Sequence, residues 1–128
     1  MLAALLEHDP SALAALKADG RHVTSALTLA EASRAIIRAR VAGRLTAALE
    51  QAAVRGLRTF ERRCFIVEVN SVVLARIGRP FPVEPVRTLD AVHLATAELL
   101  DDSPSLVTIV TRDARVRDNA RALGYSVE

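Results

Sequence analysis

Apolar and polar positions along the chain follow two periods, and the switches between them mark out its elements. In RTLDAVHLATAELL, residues 87–100, apolar residues recur at helical spacing, predicting a helix that DDSPS (101–105) ends. LVTIV (106–110) is a run of apolar or β-branched residues between turn formers, the clearest predicted strand. His22 to Ser25 and FIVEV (65–69) have the same character. Between them, one helix is predicted from Thr28 through EASRAIIRAR to about Val41, stopped by Gly43. A second runs from Arg44 to Arg63, weakly interrupted at Gly56. Asn70 reads as the cap of SVVLARIG, and RPFPVEP (79–85) as a loop. Asp113 caps a helix ending at Leu123-Gly124, and YSV is the last strand. Near the start, residues 2–7 read as a short Ala/Leu helix. Asp9-Pro10 then opens another that stops at Gly20.

Strands alternating with helices predict an α/β fold, a parallel sheet covered by helices on both faces. There is no internal repeat or low-complexity linker, and 128 residues suit one domain spanning 1–128. The net charge of +2 is too small to argue for nucleic acid by itself. Every basic residue but Lys17 is arginine, which suits bidentate phosphate contacts but also fits a GC-rich genome. One cysteine, Cys64, excludes an internal disulfide and a multi-cysteine zinc site and fits a reducing cytoplasm. No apolar run reaches the roughly 18 residues of a membrane span, and MLAALLEHDP lacks the basic start of a signal peptide. A cytoplasmic protein with no membrane contact is expected.

In open parallel sheets, chemistry collects outside the carboxyl ends of the strands. Glu31 follows the strand ending near Ser25. Asp90 opens its helix after the proline-rich loop, and only Thr111 and Arg112 separate Asp113 from LVTIV. All three are expected at one edge of the sheet. Carboxylates gathered in a cleft repel one another unless a cation sits among them, and oxygen donors suit Mg²⁺ or Mn²⁺. Each acid also has a structural reading. Thr28-Leu-Ala-Glu31 matches a capping box, Asp90 favours the positive helix end, and Asp113 is a good N-cap. Spacing leaves both readings open.

The segments VTSALTLAEASRAI, RTLDAVHLATAELL and LVTIVTRDARVRDNARALGYSV resemble three successive motifs of the PIN-domain family, in particular its VapC-like toxins. The resemblance runs from Val23 onward in the family's order and spacing. It implies a three-layer α/β/α sandwich and a Mg²⁺- or Mn²⁺-dependent ribonuclease site built from four acids. Glu31, Asp90 and Asp113 match the second, third and fourth of these, as catalytic residues and metal ligands. Thr111 matches the hydroxyl residue beside the last. Asp118 would be an outer carboxylate or a solvated helix charge. His93 would orient Asp90, touch RNA, or simply pack in hydrogen-bonded surroundings. Leu89, Val92, Thr96 and Leu99 are expected to bury this helix. Arg87, Arg112 and Arg115 would hold flanking phosphates, or pair with the acids. The implied partners are an RNA substrate, a cognate antitoxin and a second copy of the chain.

The chain departs from the family at its beginning. Members open with an apolar strand ending in Asp and a small hydroxyl residue, the first metal ligand. MLAALLEH instead reads as the helix that follows that strand, so a strand of roughly 5–6 residues and its turn are expected to be missing. A start lying upstream, or a cloned fragment, accounts for this better than a degenerate protein that lost one ligand. Two functions follow. One is an endoribonuclease using metal-activated water. The other is a catalytically impaired PIN-like module that binds a protein through Ala32, Ile36 and Ile37, although core packing explains that stripe as well.

Overall fold

Strand β1 (His22–Ser25) passes into helix α1 (Ala26–Val41) without a linker, because Ser25 is both the last strand residue and the N-cap. Its extended backbone ends the strand while its Oγ accepts from Leu27 N at 3.2 Å. This overturns the capping box at Thr28. Thr28 lies within the helix and its Oγ1 accepts from Thr24 Oγ1 at 2.8 Å. The computed structural model describes residue 14 and residues 19–100 and 103–128. The expected helices at 2–7 and after Asp9-Pro10 fall almost wholly outside the described residues. The chain divides into two units, Met1–Val67 and Glu68–Glu128.

In the first unit, Gly43 takes a φ of +73°, the left-handed conformation that ends a helix, just past α1. Thr46 then caps α2 (Ala47–Arg63), its Oγ1 accepting from Leu49 N. Gly56 does not interrupt α2. Ala32 and Ile36 of α1 meet Ala53 and Leu57 of α2 in a buried cluster flanked by Leu29, Leu45 and Val54. The end of α2 leads straight into β2 (Cys64–Val67), which starts and stops earlier than FIVEV. β2 pairs parallel with β1 from His22–Cys64 to Ser25–Val67. Parallel partners need a long crossover, and the α1–α2 hairpin supplies it.

The second unit begins with α3 (Ser71–Ile77), capped by Asn70 Oδ1, which accepts from Val72 N and Val73 N at 3.0 Å each. After the proline-rich loop comes α4 (Thr88–Leu99), then a 3-10 turn at Pro104–Leu106 and β3 (Thr108–Ile109). The five-residue strand expected at 106–110 is therefore only two residues long. Pro104 opens the turn, which takes Leu106 out of extended geometry and leaves it 81% exposed. Helix α5 (Ala114–Ala122) is the crossover to β4 (Ser126–Val127), parallel to β3. Two further backbone bonds, Thr111 N to Glu128 O and Glu128 N to Ile109 O, prolong this ladder. Helix α4 is buried along much of its surface, at Ala91, Val92, Leu94, Ala95, Thr96 and Ala97. Leu89, expected in the core, is 46% exposed, and Leu99 is half-buried. Among the described residues no helix is long and apolar enough to cross a membrane.

Candidate active site

Asp90 lies in the first turn of α4, whose N-cap residue, Arg87, makes no side-chain cap. A carboxylate is favoured there by the positive helix end. The surroundings oppose it. Oδ2 of Asp90 is buried and has no hydrogen-bond partner. Burial raises the Asp90 pKa above its ordinary value and the nearby Asp113 charge raises it further, while Arg87, His93 and Arg115 pull it down without winning. Glu98 Oε2 is likewise buried without a hydrogen bond, but Arg76 Nε stands 2.7 Å away in an ion pair. Among the described residues no such ion pair reaches Asp90 Oδ2.

Asp113 reaches the same place from the exit of β3. Its Oδ1 caps α5, accepting from Arg115 N at 2.8 Å and Val116 N at 3.3 Å. Both cap bonds use that one oxygen. Thr111 Oγ1 accepts from Asp113 N at 3.1 Å, so the hydroxyl shapes the turn that presents the acid. Helices α4 and α5 pack on each other. Two carboxylates, one with a buried unpartnered oxygen, form a repulsive pair that a hard cation would relieve. Among the described residues, no group of three or more His, Cys, Asp or Glu could hold a metal ion. Mg²⁺ is commonly bound through one or two carboxylates with waters completing its shell, and the Asp90–Asp113 pair fits that demand.

The loop that leads into α4 is fastened from three sides. Asn119, fully buried on α5, accepts from Val83 N at 2.9 Å and donates to Val83 O at 2.8 Å and Arg115 O at 3.0 Å. Glu84 draws the loop inward, its oxygens accepting from Phe81 N at 2.9 Å and Val86 N at 2.6 Å. The Arg76 guanidinium covers the Phe81 ring at 3.9 Å. Sequence reasoning missed all three residues. An Asn facing the core side of α5 was the available signal.

The structure thus brings Asp90, Asp113, His93, Arg87 and Arg115 into one electrostatic neighbourhood. Arg87 and Arg115 are exposed and His93 is half-buried. Arg112 and Asp118 are exposed too. Glu31, half-buried in the second turn of α1, belongs to the first unit.

The PIN domain family matches residues 1–122. Ribonuclease VapC46 of Mycobacterium tuberculosis (strain ATCC 25618 / H37Rv) is 38% identical over 109 residues, covering 82% of this chain and 71% of that protein. Ribonuclease VapC35 of the same strain is 32% identical over 107 residues, covering 84% and 71%. No solved structure matches the chain significantly. With these likenesses and an acid pair at the starts of two helices, the chain belongs to the PIN-domain family, on its VapC-like side.

Proposed function

We propose that the chain is an endoribonuclease, the toxin of a type II toxin–antitoxin pair, and depends on Mg²⁺ or Mn²⁺. The observation that carries this reading is the buried, unpartnered Oδ2 of Asp90 beside the Asp113 charge. The ribonuclease names of the two relatives support it. Asp90 and Asp113 would hold the cation, which would supply positive charge to phosphate oxygens and activate water; Glu31, matched to the family's second acid, is the remaining residue of the expected set. Arg87 and Arg115 bring exposed guanidinium groups to the same acids, suited to hold the phosphates that flank the cut. His93 lies close enough to lower the Asp90 pKa and would help to orient that carboxylate. Thr111 fixes the turn that carries Asp113. The inhibitory antitoxin is the product of a neighbouring gene.

The test is cleavage of single-stranded RNA with Mg²⁺, with Mn²⁺ and with chelator, for the chain and for Asp90→Asn. Cleavage that needs the metal and disappears in Asp90→Asn is expected. Cleavage of equal rate in Asp90→Asn overturns the site. RNA binding without cleavage under either metal makes the chain a PIN-like binding module instead.

A further inference from the structure

The modest net charge hides an uneven distribution. Residues 26–63, the α1–α2 hairpin, carry eight arginines against three glutamates, whereas residues 68–128 carry seven arginines against nine acidic residues. Charge asymmetry of this kind points to a polyanionic partner. Within the hairpin, Arg55, Arg58 and Arg62 of α2 are all exposed. At 3.6 residues per turn they fall on one face, opposite the buried Ala53 and Leu57, and extend about 10 Å along the axis. Among the described residues none of the three meets a carboxylate. Arg62 Nη2 donates only to Thr59 Oγ1, at 3.3 Å, and the hairpin's Arg40–Glu50 ion pair lies elsewhere.

We propose that this arginine row is a docking surface for the phosphate backbone of single-stranded RNA. The inference rests on the ribonuclease reading and names a substrate contact that reading does not contain. Charge complementarity selects the occupant. A row of guanidinium groups suits successive phosphates, each offering oxygens to the planar fork of an arginine. By helical spacing the face also carries Ala48, Gln51 and Thr59, while Val54, one turn before Arg58, packs against the buried cluster; no exposed aromatic or large aliphatic side chain stands in the row. Protein interfaces are anchored by such side chains, so a protein partner fits this face less well. Phosphate contacts carry no base information, and the row therefore contributes affinity without sequence preference.

The test measures binding of a labelled single-stranded RNA oligonucleotide in chelator, across a salt series, by fluorescence anisotropy. The full chain is compared with Arg55→Gln/Arg58→Gln/Arg62→Gln and with the corresponding triple lysine variant, each checked by thermal melting. Three lost phosphate contacts should lower the slope of log affinity against log salt by about 2 and weaken binding roughly tenfold at moderate salt. The lysine triple should keep most of the slope. With metal present, the glutamine triple should raise KM and leave kcat unchanged, because these contacts are equally strong before and during cleavage. An unchanged slope and affinity in the glutamine triple overturns the proposal. So does failure of the intact chain to bind RNA. If the intact chain binds RNA through the row but never cleaves it, the ribonuclease reading fails and the row stands.

Discussion

Asp90 and Asp113 come from different helices, yet the charge of one raises the proton affinity of the other. Their supports are unlike. Asp113 Oδ1 accepts two backbone N–H groups, whereas Asp90 Oδ2 is buried with none. One acid is thus fixed by its helix cap and the other is left electrostatically unsatisfied. That asymmetry suits a cation site: a rigid anchor beside a ligand whose charge costs stability until a cation arrives.

Asp90 should make the metal-free chain less stable at neutral pH. Its folded pKa is raised, first by burial and then by Asp113, so the folded chain binds this proton more tightly than the unfolded chain does. Stability from this group is therefore fullest below its ordinary value of about 3.9 and is lost as pH rises through the raised one. In chelator, Asp90→Asn should melt above the parent at pH 7, and the gap should shrink towards pH 4. Melting curves over that range decide it; a gap that does not change with pH removes the buried charge as its cause.

Asp113 should separate capping from metal binding. Asn caps a helix as well as Asp does, so Asp113→Asn should keep the bonds to Arg115 N and Val116 N. Asp113→Ala should lose about 1 kcal/mol of stability. Both should lose metal-dependent cleavage, since neither supplies a carboxylate. Denaturant melts alongside cleavage assays distinguish the two roles. Full cleavage by Asp113→Asn would leave the residue a cap alone.

Helix existence and order were legible in the sequence because caps and periodicity are local, as at Asn70, Gly43 and Asp113. Strand lengths were not. LVTIV has strand chemistry throughout, but Pro104 starts a turn that consumes Leu106, and only Thr108 and Ile109 enter the ladder. The Thr28 capping box failed because Ser25, three residues earlier, already satisfies the helix start. Asp90 and Asp113 were legible as acids at helix starts, but only Asp113 directly follows a strand, and the burial of the Asp90 oxygen was not legible. Asn119 was invisible because its partner, Val83, is a backbone group 36 residues away.

Asn119→Ala should destabilise the chain by about 1–3 kcal/mol, the cost of leaving buried polar groups without partners. The change removes both bonds to Val83 and the bond to Arg115 O from a side chain that has no exposed surface itself. Asn119→Asp keeps only the acceptor for Val83 N and should recover little. Chemical denaturation measures the loss, and hydrogen exchange at Val83 N should quicken in Asn119→Ala and less in Asn119→Asp. Unchanged exchange there would show that the loop is held by other contacts.

Arg76 should matter through its shape as much as its charge. Its Nε meets Glu98 Oε2 at 2.7 Å, its Nη1 donates to Arg79 O at 3.1 Å, and its plane covers the Phe81 ring at 3.9 Å. Lysine keeps the charge but loses the planar stack and the fork, so Arg76→Lys should cost about 1 kcal/mol. Arg76→Ala should cost more, roughly 2 kcal/mol, because it also strips the cation from a half-buried carboxylate. Neutralising that carboxylate should soften the second effect: Arg76→Ala should cost less in a Glu98→Gln background than in the parent. Urea titrations of the four chains give the coupling directly. Additive losses would detach Glu98 from the argument, and a lysine variant as stable as the parent would show that the Phe81 stack contributes nothing measurable.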